Sequence, residues 1–121
     1  MKENNIKDKS FAFAVRVVRL YQHVTEQKRE YILSKQILRS GTSVGAMIRE
    51  AEHGQSKADF IHKFAIAQKE INETIYWLEL LYETGYIDEN QFESLNNDAV
   101  ELIKIITVII KNTKKNLTTN N

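Results

Sequence analysis

The sequence predicts an all-α protein, one domain built as a four-helix bundle. Two observations carry this. The 121 residues include no proline, so nothing in the chain is built to break a long helix. Four stretches carry apolar residues at spacings of three and four, the helical period, with short polar or glycine-containing connections between them. The absence of cysteine removes disulfides, zinc-thiolate sites and thiol nucleophiles. The polar start, Met1-Lys2-Glu3-Asn4-Asn5, is unlike a signal peptide, and the longest apolar run, around Ile105 to Ile110, is too short to span a bilayer. A cytoplasmic protein with no membrane partner is the expectation.

The first helix is expected from an N-cap at Ser10 to about Gln27, after a flexible lead over residues 1–9. It carries two apolar stripes, Phe11, Ala14, Val15, Val18 and Tyr21, and Phe13, Val17, Leu20 and Val24. Together they cover roughly 220° of arc, more than one core requires. The second runs from about Ser34 to His53, with Ile37, Gly41, Val44, Ile48 and Ala51 on one side. The third starts at the cap Ser56, with Asp59 three residues on, and carries Phe60, Phe64, Ala67, Ile71, Thr74, Leu78 and Leu81 until Gly85 closes it. Asp88 caps the fourth, whose seam is Phe92, Leu95, Ala99, Leu102, Ile106 and Ile109. Its β-branched stretch "VELIKIITVII" reads as helix because the period continues through it. The bundle is expected over 10–115 and a flexible tail over 116–121. Ile103, Ile105 and Ile110 lie off the seam. Surplus apolar surface on both terminal helices points to subunit association, the alternative being a broad intramolecular core.

"GTSVG", residues 41–45, satisfies both the serine-hydrolase elbow G-x-S-x-G and the close-packing spacing G-x-x-x-G. An elbow needs a strand before Ser43 and a sharp turn, whereas helical periodicity runs through it. The acid and histidine that follow, Asp59 and His62, lie one turn apart on one helix. Glycine in a helix costs about 0.5–1 kcal/mol relative to alanine, so Gly41 and Gly45 are read as thin places where a neighbour approaches. Glu50-x-x-His53 and Asp59-x-x-His62 imitate di-iron ligand pairs but flank a connection instead of projecting from mid-helix, so no metal or other cofactor is expected.

If the second and third helices form an antiparallel hairpin about Gly54-Gln55, Arg39 falls opposite Glu70 and Gln36 opposite Glu73. Ser43 would satisfy leftover hydrogen-bonding groups, and Trp77 stands one turn from Glu73. This polar network reads as architecture that fixes hairpin register. Net charge is only +1, yet unevenly placed: residues 1–40 hold nine Lys/Arg against four Asp/Glu, 41–100 four against eleven, and 101–121 four against one. A basic face from the chain ends and an acidic face from the middle would follow, unless this is ordinary solvated helix surface.

"LSKQILRSGTSVGAMIREA" followed by "SKADFIHKFAIAQKEINETIYWLELL" resembles the bacterial four-helix-bundle family that includes proteins encoded by intervening sequences in 23S ribosomal RNA genes. The likeness spans about residues 10–115. Ser34, Gln36, Arg39, Ser40, Ser43, Glu50, Ala51, Glu70, Glu73, Trp77 and Leu78 fall where that pattern has them, while Met47 stands where it usually has Asn. The resemblance implies an up-down antiparallel bundle, a ring-like homopentamer and no established enzymatic activity. A related branch, the accessory variability proteins of diversity-generating retroelements, forms basic pentamers that bind nucleic acid and a reverse transcriptase.

The expectation is therefore a non-enzymatic homo-oligomer that associates with RNA or DNA, structured RNA first. Its phosphate contacts would come from Arg16, Arg19, Lys104, Lys111, Lys114 and Lys115. No aromatic platform for single strands is evident. The competing expectation is a scaffold whose acidic third helix meets a protein partner.

Overall fold

Helices form in all four periodic stretches: α1 (Lys2–Lys28), α2 (Leu33–Glu52), α3 (Lys57–Glu83) and α4 (Glu89–Thr119). The structure, a computed structural model, describes residues 2–119. The helices run alternately up and down, and α2 packs most extensively on α3, followed by α1 on α2 and α3 on α4. The seam between α1 and α4 is the lightest.

Side chains close each connection. Ser56 Oγ accepts the Asp59 N–H at 3.0 Å, starting α3. Gly85, at φ 84°, ends it in a Schellman turn, with Gly85 N–H donating to the Tyr82 carbonyl and Tyr86 N–H to that of Leu81. Asp88 and Gln91 form a reciprocal capping box, Gln91 N–H donating to Asp88 Oδ1 at 2.8 Å and Asp88 N–H to Gln91 Oε1 at 2.9 Å. The start of α2 uses a device the sequence reading missed. Glu30 is buried, and its carboxylate accepts the N–H groups of Ile32, Leu33 and Ser34 at 2.8–3.0 Å. Arg29, at φ 55°, turns the chain into this cap.

Two boundaries differ from expectation. The first helix begins at Lys2 instead of Ser10, because Ile6 continues the buried stripe Phe13, Val17, Leu20 and Val24 by about two more turns. Ser10 is a buried helix-interior residue whose hydroxyl donates to the Lys7 carbonyl, as serines do within helices. At the other end α4 continues to Thr119, through most of the expected tail. Met1 and residues 120–121, also part of the expected lead and tail, lie outside the described residues.

The core combines that stripe with Ile37, Val44, Ile48, Phe64, Ile71, Leu78, Leu81, Leu95, Leu102 and Ile106. One hydroxyl pair lies within it: Ser40 and Thr74 hydrogen-bond each other at 2.9 Å across α2 and α3, and Thr74 also donates to the Glu70 carbonyl. The glycines of α2 face α1. A Cβ at Gly41 would lie 2.8 Å from both methyls of Val17, and one at Gly45 would lie 3.4 Å from the Ser10 carbonyl oxygen. The close-packing reading of "GTSVG" therefore describes the α1/α2 contact.

Two expected outcomes follow. Val17 is stiff at χ1 and cannot step aside, so Gly41→Ala should destabilise by about 1–3 kcal/mol through overpacking. Gly45→Ala meets only ordinary contact and should be neutral or gain up to about 1 kcal/mol from helix propensity. Denaturant melts that place the two variants level would contradict this packing. Glu30 gives the second outcome. Burial acts to raise its pKa, but the Leu33, Ser34 and Ile32 amides and the Ser34 hydroxyl outweigh it and hold the carboxyl below its usual range. A depressed carboxyl stabilises the fold above its unfolded pKa, about 4.3, and that stability is lost as pH falls through the folded value. Glu30→Gln should thus cost about 1 kcal/mol at pH 7 and progressively less below about pH 4.

Candidate functional site

The polar network forms on the outer side of the α2/α3 hairpin, with one change of partners. Arg39 reaches both carboxylates, Nη1 to Glu70 Oε2 at 3.3 Å and Nη2 to Glu73 Oε2 at 2.5 Å. The Trp77 indole N–H donates to the same Glu73 oxygen at 3.1 Å. Glu70 and Glu73 are one turn apart on α3, so a single guanidinium fork spans both. That leaves nothing for Gln36, which is exposed and outside the network. Ser43 is also outside: its hydroxyl donates to the Arg39 carbonyl at 2.6 Å, back along α2. Arg39 is half exposed and Glu70 mostly covered, so the pair is partly buried. Glu70 Oε1 is buried without a protein partner. Met47, in place of the pattern's Asn, packs partly buried against the core.

Hydrogen bonding to Trp77 and to Arg39 holds the Glu73 carboxyl below its usual range, and the same two carboxylates raise the pKa of Arg39. The network is a charge clamp across the hairpin. It lacks the parts of a nucleophilic site, since Ser43 sits mid-helix with its proton committed to a backbone carbonyl. Glu50 pairs with Lys63 at 3.0 Å, and Asp59 serves the start of α3. Among the described residues no three of His, Asp and Glu converge as metal ligands.

The basic residues singled out in the sequence do not form one patch. Arg16 is tied to α4: Nη1 pairs with Asp98, and Nη2 donates to Ser94 Oγ at 2.7 Å. These partners stand 78 and 82 positions from Arg16 in sequence, so no local signal announced them. Arg19 is exposed on α1 beside Gln91 and Leu95 of α4. Lys104 and Lys111 are exposed on the far half of α4, with Lys114 and Lys115 one turn further on. From Leu95 to Lys115 the axial rise is about 30 Å. The structure thus assigns Arg16 to holding α1 against α4, leaves Arg19 at one end, and strings the four lysines along the other.

Cavities follow the α1/α4 seam. An apolar one is lined by Asn5, Ile105, Val108 and Ile109. The next lies at Lys9, Asp98 and Glu101, where Lys9 pairs with Glu101 at 3.1 Å. Two more lie toward the α3/α4 turn. The apolar stripes also separate. Phe13, Val17, Leu20 and Val24 are core, while Phe11 and Val15 stand exposed beside Ala14 and Val18. Arg49 of α2 covers the Phe11 ring at 5.0 Å, a cation–π contact. Among the described residues no helix is long and apolar enough to cross a membrane.

The family described as 23S rRNA-intervening sequence protein matches residues 2–108. A crystal structure of a protein of unknown function from the S23 ribosomal protein family of Bacteroides thetaiotaomicron is similar throughout. It is 59% identical, with a TM-score of 0.91 over 92% of this chain and 99% of that one. No curated protein matches.

The clamp predicts a titration. Trp77→Phe removes the indole donor and Arg39→Met removes the cation, so each should move the Glu73 carboxyl up toward the usual range of about 4.3 by NMR. Above that pH the Glu73 interactions stabilise the fold, and they are lost as pH falls through its depressed folded value. A Glu73 titration unmoved by both changes would show that neither group holds it.

Proposed function

The chain belongs to the 23S rRNA-intervening sequence protein family, and from that premise we propose that it is a non-enzymatic, self-associating four-helix bundle that binds nucleic acid, structured RNA first, through phosphate contacts. The observation that carries the reading is the chain after Glu101. Its last twenty residues hold four lysines and no Asp or Glu, so the far half of α4 is rich in positive charge. Lysines near a helix C-terminus also offset the helix dipole, but that effect is confined to the last turn and does not account for Lys104. Contacts of this kind bind phosphates without reading bases.

Self-association is supported by two apolar surfaces on different sides of the bundle. One is Phe11, Ala14, Val15 and Val18 on α1, and the other is Val108 with partly buried Ile105 on α4. Unlike patches pair head to tail, the arrangement that closes into rings such as the homopentamer the resemblance implies. A ring would also repeat the α4 lysines and multiply weak phosphate contacts. A second reading, a scaffold for a protein partner, draws on Ile32, Tyr31 and Tyr76, which are 76%, 53% and 56% exposed and are suited to a protein contact.

Light scattering coupled to gel filtration should return a multiple of 14.1 kDa at micromolar concentration. Val15→Glu combined with Val108→Glu should return the monomer without lowering helix content. Purified protein should retain labelled cellular RNA at low salt and lose it steeply as salt rises. A monomeric parent would remove the assembly, and no retention at low salt would favour the scaffold.

A further inference from the structure

The lower end of the α1/α4 seam differs from the rest. Two cavities of about 300 and 330 Å³ meet there, both lined by His23 and Gln91. Arg19 enters the first from α1, and Lys28 and Tyr86 line the second. Nearer the middle of this seam the cations are paired, Lys9 with Glu101 and Arg16 with Asp98. Among the described residues, Arg19, His23 and Lys28 have no such partner. The carboxylate in this part of the groove, Asp88, is engaged by the Gln91 N–H. Gln91 uses its side-chain oxygen on the Asp88 amide, which leaves its NH₂ group as a donor.

These groups fit a nucleic acid strand better than an acidic peptide. Arg19 to Lys28 spans about 14 Å of helix, the rise of about four stacked nucleotides. Arg19 at the first cavity and Lys28 at the second can each serve a phosphate, and Tyr86, partly buried against the core, lines the second with a ring that one base can meet, a feature an acidic peptide does not use. The sequence reading found no aromatic platform because Tyr86 lies 58 or more positions from the α1 cations and meets them only once the bundle closes.

We propose that this lower groove seats a short single-stranded RNA segment, its phosphates held by Arg19 and Lys28, one base stacked on Tyr86 and a base edge met by the Gln91 amide. The proposal rests on the nucleic-acid reading above and adds a second contact region to it. Such a seat accepts a loop or strand end, since bases within an A-form duplex are not free to stack on a side chain.

The test is fluorescence anisotropy with a labelled single-stranded RNA of about eight nucleotides, twice the span of the groove, over a salt series. Arg19→Gln with Lys28→Gln should weaken binding and flatten the plot of log affinity against log salt by about 1.4, the share of two phosphates. Tyr86→Leu should weaken it roughly tenfold at unchanged salt slope, and Tyr86→Phe should keep the parent affinity. Arg19 and Lys28 are exposed and unpartnered, so their loss leaves the fold intact, which circular dichroism melts check for all variants. If the groove variants bind as the parent does while Lys104→Gln with Lys111→Gln loses affinity, the groove is overturned and the nucleic-acid reading stands. A parent that binds no RNA at low salt overturns both. Polyglutamate that binds through Arg19 and Lys28, indifferent to Tyr86, overturns the RNA assignment in favour of an acidic peptide.

Discussion

The contact of α1 on α2 at Gly41 and Gly45 shapes the rest of the molecule. Two residues without side chains let α1 settle onto α2 until Val17 fills the space where a Cβ of Gly41 would stand and the Ser10 backbone comes within van der Waals reach of one at Gly45. A helix drawn toward one neighbour stands off from the other, and α1 packs more lightly on α4 than on α2. The interval is bridged by long polar side chains, Lys9 to Glu101 and Arg16 to Asp98 with Ser94. Half-exposed ion pairs of this kind are worth little each, about 0–1 kcal/mol. They hold the seam without filling it, and cavities remain along its length.

Across the bundle, α2 and α3 show the opposite economy. Their axis of contact is fixed inside by the Ser40–Thr74 hydroxyl pair and outside by the Arg39 fork on Glu70 and Glu73. A one-residue slip would swing both sets of partners off their face, so these bonds set register more than they add net stability. The hairpin is the more closely packed half of the molecule, and the cavities lie along the seam of α1 with α4.

What the sequence could disclose follows from how far apart the interacting groups lie. Helix existence, the caps at Ser56 and Asp88, the stop at Gly85 and the pairing of Arg39 with Glu70 were legible, because each depends on local spacing or on one short turn. The early start of α1 was not, since Ile6 is a lone apolar residue among polar ones and announces no stripe. Glu30 escaped because it stands before the helix it serves and caps with a long side chain where a short one is usual. The fate of Arg16 and the gathering of Arg19, His23, Tyr86 and Gln91 depend on closing α1 against α4, and no pattern within either helix encodes that.

Sequence periodicity also could not say which stripe of α1 enters the core. Phe11, Val15 and Val18 are as apolar as Phe13, Val17 and Leu20, and either set could have faced inward. The α2 glycines decide, since the face that meets Gly41 must be the one carrying Val17. At 100° per residue this leaves α1 with three faces of roughly equal width: a core face, an exposed apolar face on the α2 side, and a face bearing Arg16, Arg19 and His23 toward α4. Only Arg19 borders both of the outer two. A second protein surface against Phe11 and Val15 would therefore leave His23 and the lower groove open. Such a surface and a ligand beside α4 would meet on α1 at Arg19, which borders both faces.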